Sequence, residues 1–178
     1  MTNTAEVSVI MPVFNAGIYL AKSISSILNQ TYTDFEFIII NDCSTDNSEE
    51  VIKSFTDPRI FYFKQEKNFG VVAAMNKAIS LVNTPLVCIM HADDIAFPTR
   101  ISKQVAWLSE NSKTGAVAGF INFINENDEQ TGIWKLDRKT VKPGNIKRKM
   151  LIENCIAHPT LMIRSCICLL YTSDAADE

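Results

Sequence analysis

Residues 7–11 form a short apolar run closed by Pro12, and beyond a loop Leu20, Ile24, Ile27 and Leu28 recur at helical spacing within residues 18–30. Strand, loop and helix are the expected order. The unit then repeats. Residues 36–40 are a β-branched run, after which Asp46 with Glu49 three positions on has the spacing of a helix-start capping pair, and Val51, Ile52 and Phe55 share one face. Residues 60–63 read as a third strand, followed by Val72, Met75, Ile79 and Val82 at intervals of three, four and three. Residues 85–90 read as a fourth, with a helix starting near Pro98 and carrying Ile101, Val105 and Leu108 inward. Parallel strands need long right-handed crossovers, so this alternation predicts an α/β fold: a mostly parallel sheet flanked by helices on both faces. Weaker signals follow: a fifth strand over 116–124, a polar variable loop over 125–140 with a short strand at 133–136, a helical stretch over 143–153 and an apolar run at 160–163. There is no internal sequence repeat beyond the β-α alternation.

At 178 residues and 47% hydrophobic content the chain fits one domain with an ordinary core. A formal net charge of -3 leaves no strong positive field to draw in nucleic acid or an anionic surface, so nucleic-acid binding is set aside. The cysteines at 43, 88, 155, 166 and 168 are odd in number and form neither CxxC pairs nor zinc-finger spacings, which favours reduced thiols in a cytoplasmic protein. The apolar runs fall far short of the ~20 residues a membrane helix needs. No transmembrane segment or signal peptide is expected, and peripheral membrane association stays open.

Chemistry gathers where such a sheet would place it. In open parallel sheets ligands bind beyond the carboxyl ends of the strands, where loops converge and helix N-termini point inward. Pro12, Phe14 and Asn15 close strand one, Asn41, Asp42 and Asp46 follow strand two, Lys67 and Asn68 strand three, and Asp93 and Asp94 strand four. Asp42, Asp93 and Asp94 would repel one another unless a cation or protons compensate, and carboxylate oxygens suit magnesium or manganese. Simpler roles compete. Asp93 and Asp94 could cap the next helix, Asp42 could serve a turn, and Phe14 could be core or a platform for a flat base. Neither G-x-G-x-x-G nor G-x-x-x-x-G-K-[ST] is present, so a metal rather than a backbone cradle would have to neutralise phosphates.

The blocks Val7-Ser8-Val9-Ile10-Met11-Pro12-Val13-Phe14-Asn15, Ser26-Ile27-Leu28-Asn29-Gln30-Thr31-Tyr32 and Asn41-Asp42-Cys43-Ser44-Thr45-Asp46 resemble the opening of family 2 glycosyltransferases. Asn68-Phe69-Gly70 with Asn76, then Ala92-Asp93-Asp94 with Pro98, Arg100 and Gln104, continue the pattern in order. The resemblance implies a Rossmann-like GT-A fold and transfer of a sugar, with inversion, from a nucleoside diphosphate donor, UDP-sugars favoured, to a saccharide or lipid-linked acceptor. It also implies that Phe14 stacks on the nucleobase, that Asp42 hydrogen-bonds it, that Asp93 contacts the ribose, and that Asp94 binds a divalent Mn2+ or Mg2+ bridging the diphosphate. Pro12, Phe14, Asn15, Asp42, Asn68 and Asp93 are then the candidate nucleotide-binding residues, and Asp94 the candidate metal ligand.

Three residues depart from the family pattern. His91 stands where many members carry the first acid of a D-A-D-D run, and packing at the strand end is favoured for it over metal ligation. Asn41 and Cys43 replace a common Asp and Gly, and Cys43 would resist a positive φ if the turn required one. Past Arg164 the family continues into a glycine-rich segment and an acidic pair supplying the base that deprotonates the acceptor. Residues 168–178 instead resemble read-through of a library adapter, so a domain over 1–167 with its base beyond the cut, and little transfer activity, is expected. A non-catalytic nucleotide-binding module and a metal-dependent nucleotidyltransferase are the competing classes.

Overall fold

The structure, a computed structural model, describes residues 5–135, 144, 146, 148 and 155–167. The chain runs β1 (Val7–Val13), α1 (Gly17–Leu28), β2 (Phe35–Asn41), α2 (Ser48–Lys53), β3 (Ile60–Lys64), α3 (Val71–Ser80), β4 (Leu86–Ile89), α4 (Arg100–Glu110), β5 (Ala116–Val117), β6 (Asn122–Ile124) and β7 (Gln130–Ile133). A 3₁₀ turn over His158–Thr160 leads into β8 (Met162–Arg164). Six strands form one sheet in the order β3-β2-β1-β4-β8-β5, and β6 and β7 pair as a separate ribbon. β1 to β4 are parallel neighbours, while β8 lies antiparallel between β4 and β5. This is the expected mostly parallel α/β sheet.

Both faces of the sheet are covered, which is why the central strands read as unbroken apolar runs. On one face Val7, Val9 and Met11 pack with Leu20, Ile24 and Ile27 of α1 and Ile101, Val105 and Leu108 of α4. On the other, Ile10, Ile38, Ile40, Val87 and Ile89 meet Ala74, Met75 and Ala78 of α3. Ser8 shares that second face and stays satisfied through Glu36 Oε1 at 2.5 Å and Thr84 Oγ1 at 2.7 Å.

Several elements differ from the expectation. β1 does not stop at Pro12 but runs on to Val13. Val72, expected on the inner face of α3, is 71% exposed, because the helix lies close on the sheet through Ala74 and Ala78 instead. The strand expected over 116–124 divides into β5 and β6. At Gly119 the chain leaves the sheet, and its N–H donates to the Thr160 hydroxyl at 3.1 Å. The polar loop over 125–140 contains β7, a strand register earlier than expected, paired antiparallel with β6. Asp46 and Glu49 do not form a capping pair: α2 starts at Ser48 with no side-chain cap, and Glu49 instead binds Lys53 and Lys64, which hold its carboxyl down at about 2. Of the helical stretch expected over 143–153, only Gly144, Ile146 and Arg148 are described, all helical, and the tail over 168–178 lies outside the described residues.

Candidate functional site

The site begins with the strand order. β1 hands the chain on to β2 on one side, while β4 lies on the other, so the loops leaving β1 and β4 diverge and open a crevice at their carboxyl ends. Pro12 helps to open it. Ile10 and Pro12 present their backbone groups to the same neighbour, and the last ladder bond on that side runs from Met90 N to Ile10 O at 3.0 Å. The N–H that proline lacks would have extended the ladder between β1 and β4; without it the strands part.

One wall of the crevice is built around Asp42. Its amide is fixed to Val13 O at 2.8 Å, and its side chain is almost wholly buried. Oδ1 accepts from Gln65 Nε2 at 2.6 Å and from Phe69 N at 2.9 Å, and Oδ2 accepts from Gly70 N at 2.8 Å. A carboxylate oxygen has two lone pairs, so Oδ1 is saturated by the protein and one acceptor position on Oδ2 remains. Gly70, at φ +88°, occupies the N-cap of α3 in a conformation that other residues rarely adopt, and this aims the start of α3 at the cleft. Pro12, Val13, Phe14, Asp42, Asn68, Gly70, Val71 and Ala74 line an open cleft of ≈ 140 Å³. Phe14 is 48% exposed at its mouth and is therefore not a core residue.

Asn15 does not line that cleft. Its Oδ1 accepts from Thr45 N at 2.8 Å and its amide donates to Ser44 Oγ at 3.1 Å, so it ties the first loop to the second. Asp46 strengthens the same tie by accepting from Gly17 N at 3.0 Å. Burial acts to raise its carboxyl, but hydrogen bonds from the Ser48 hydroxyl and the Gly17 and Ser48 amides outweigh it and hold the group below the usual range. Cys43 does adopt the positive φ that the turn demands, +60°. The turn is held by Asn41, whose Oδ1 accepts from Ser44 N at 2.9 Å while its Nδ2 donates to Tyr62 Oη at 3.2 Å.

The other wall is the loop after β4, and α1 holds it. Ser23 Oγ lies 2.8 and 2.6 Å from the carbonyls of Ala92 and Asp94, which share its single hydrogen, and Ser26 Oγ accepts from Ala96 N at 3.0 Å. Gln30 Nε2 donates to Phe97 O at 2.8 Å and its Oε1 accepts from Ile101 N at 3.0 Å. Ser23 and Ser26 lie on one face of α1 and Gln30 follows two residues beyond its end, so this helix and its C-terminal exit together hold the acidic loop. α4 begins six residues after Asp94, at Arg100, with no side-chain cap. Asp93 and Asp94 are therefore not capping residues.

His91, Asp93 and Asp94 instead come together, each with one ligand atom within 4.8 Å of the others. His91 Nδ1 lies 3.9 Å from Asp94 Oδ2, and His91 Nε2 lies 3.0 Å from His158 Nδ1, the rings tilted by 43°. Burial and the neighbouring Asp93 charge push the Asp94 carboxyl up, against the pull of Arg100. Burial pushes both imidazoles down, that of His91 against the attraction of Asp93. Uncompensated like charge beside a neutral imidazole is the electrostatic setting a divalent cation relieves, and two carboxylates with one imidazole form a donor set that accepts Mn2+ or Mg2+.

Of the expected residues, Pro12, Phe14, Asp42 and Asn68 meet at the cleft and Asp93 and Asp94 meet at the second wall, while Asn15 serves as a loop tie. The sequence reading set His91 aside as a packing residue and missed its convergence on Asp94; its position two and three residues before the two aspartates was the available signal. It also missed Gln65, which carries no motif.

A cleft at the switch point of an open sheet is where α/β domains of this kind take their ligands. The family model described as glycosyl transferase family 2 matches residues 8–177. An uncharacterized glycosyltransferase of Methanocaldococcus jannaschii is 36% identical over 163 residues, covering 89% of this chain and 56% of its own. The Escherichia coli enzyme WfgD, a UDP-Glc:alpha-D-GlcNAc-diphosphoundecaprenol beta-1,3-glucosyltransferase, is 30% identical over 149 residues, covering 84% of this chain and 56% of its own. Among solved structures, S. aureus TarS 1-349 in complex with UDP-GlcNAc superposes with a TM-score of 0.74 at 19% identity, over 95% of this chain and 47% of that one, which shows a shared GT-A fold. This chain belongs to glycosyl transferase family 2. It spans about half the length of the curated relatives it matches.

Proposed function

We propose that the chain is the donor-binding part of an inverting glycosyltransferase that takes a sugar from a nucleoside diphosphate, UDP favoured, and delivers it to a saccharide or lipid-linked acceptor. The observation that carries this reading is that the Phe14–Asp42–Asn68 cleft and the His91–Asp93–Asp94 group both lie at the carboxyl ends of the neighbouring parallel strands β2, β1 and β4. Phe14 offers a ring face for the base, and the remaining lone pair of Asp42 Oδ2 accepts a base N–H. Asp93 is assigned to the ribose and Asp94 to the metal. A divalent ion held there supplies charge stabilisation on the departing nucleoside diphosphate. The diphosphoundecaprenol in the name of the E. coli relative supports a lipid-linked acceptor. No helix among the described residues is long and apolar enough to cross a membrane, and the reading includes a cytoplasmic location with peripheral membrane contact.

Calorimetric titration of the chain with UDP, UDP-glucose and GDP, each with Mn2+ and with chelator, tests the reading. Metal-dependent binding with UDP forms tighter than GDP is expected. Equal binding after chelation contradicts the metal role, and no binding of any nucleotide contradicts the donor site.

A further inference from the structure

His158 reaches His91 from the far end of the described chain, and its position is strongly specified. Thr160 Oγ1 donates to Ala157 O at 2.7 Å and accepts from Gly119 N, closing the turn that carries His158. Gln104 Nε2 donates to Thr160 O at 2.7 Å, and Arg100 donates to Ile89 O at 2.7 Å and Leu161 O at 3.5 Å. Ile89 N donates to Leu161 O at 2.9 Å. Two side chains of α4 thus clamp this turn to the end of β4, where His91 begins. The result is the 3.0 Å contact between His91 Nε2 and His158 Nδ1.

We propose that His91 is a metal ligand through Nδ1, beside Asp94, and that His158 is the positioning residue that holds its ring and tautomer. This rests on the donor-site reading above. The two nitrogens of His91 divide the work. Nε2 is engaged by His158, and Nδ1 is left facing Asp94 at 3.9 Å. Two ligands on one ion with bonds of about 2.1 Å can stand at most about 4.2 Å apart, so this pair already fits, and the widest pair in the trio must close by roughly half an ångström. Binding a metal at Nδ1 requires the hydrogen on Nε2, and His158 Nδ1 is the acceptor that stabilises this tautomer. A ligating histidine whose other nitrogen is hydrogen-bonded is the usual outer-shell arrangement, and loss of such a partner typically costs 10- to 100-fold in metal affinity. One imidazole among the oxygens also moves the site's preference from magnesium toward manganese.

The test uses the full chain with UDP and Mn2+. Pulsed electron paramagnetic resonance reports directly whether a nitrogen is bonded to manganese, and titration gives the Mn2+ and Mg2+ affinities. The wild type is expected to show a directly bonded ¹⁴N. His91→Ala should abolish that signal and weaken Mn2+ more than Mg2+. His158→Ala should weaken Mn2+ about tenfold. His158→Asn, whose Oδ1 sits near the place of Nδ1, should recover most of the loss, which a merely destabilised turn would not do. Asp94-dependent Mn2+ binding without a nitrogen signal overturns the ligand assignment and leaves the donor-site reading standing. A His158→Ala affinity equal to wild type overturns the positioning role. No Mn2+ binding in the wild type removes this inference and the metal role together, whereas the donor site falls only if UDP itself does not bind.

Discussion

Asp42 is expected to be as much a structural residue as a binding one, and Asp42→Asn separates the roles. Its carboxylate receives Gln65 Nε2, Phe69 N and Gly70 N, all at or below 2.9 Å, and together these fix the loop between β3 and α3. The amide keeps a single acceptor oxygen, so one side of the cradle faces an NH2 group that repels the donors there. Hydrogen bonds to a charged group contribute about 1.5–3 kcal/mol each, and the mutation removes the charge from three bonds while breaking at least one. Partial access of water to the loop offsets some of this, which leaves a net loss of about 2–3 kcal/mol. At about 2–4 °C per kcal/mol for a chain of this size, the melting temperature should fall by roughly 4–12 °C. Thermal unfolding of Asp42→Asn beside Phe14→Ala is the assay. Phe14 is 48% exposed and packs no core, so its variant should lose UDP affinity at an unchanged melting temperature. An Asp42→Asn protein that melts with the wild type would refute the cradle argument.

Cys43→Gly should stabilise the chain by about 0.5–1 kcal/mol in urea unfolding, because relief of a left-handed φ of +60° outweighs the added backbone entropy; a loss of stability would show that the thiol packs usefully. Asp57 binds Arg59 at 2.7 Å, and that guanidinium holds its carboxyl low. A depressed folded value gives stability that is present above about pH 4 and lost as the pH falls through it. Asp57→Asn should therefore be destabilising by about 1 kcal/mol at pH 7 and progressively less so as the pH falls through the depressed folded value, and a pH-independent difference would contradict the ion pair. Gln30→Leu should loosen the acidic loop through Phe97 and Ile101, weakening Mn2+ binding several-fold without loss of UDP stacking, as read by titration in each ligand.

The sheet was legible because its central strands are buried on both faces and write themselves as apolar runs, and α1 and α4 because their inner faces keep a 3.6-residue period. α3 was legible in place but not in face: alanines, not valines, allow its close approach, and hydrophobicity alone ranks them the other way. β5 and β6 could not be separated from sequence, since the break between them is set by Thr160 reaching 41 residues back to Gly119. The site divided similarly. Phe14, Asp42, Asn68 and the two aspartates follow from the rule that strand ends carry function, whereas the pairing of His91 with His158 joins positions 67 apart and depends on the Arg100 and Gln104 clamp. Ser26 and Gln30 were visible within a motif, but their role, together with Ser23, in holding the acidic loop required the structure.

A crystal structure of the chain with UDP and Mn2+, with manganese located by anomalous scattering, tests the donor site most directly. The account predicts the uracil against Phe14 within reach of Asp42 Oδ2, and a manganese peak at bonding distance from Asp94. UDP bound away from the crevice between β1 and β4, or manganese absent from the group formed by residues 91–94 while UDP is in place, would contradict it.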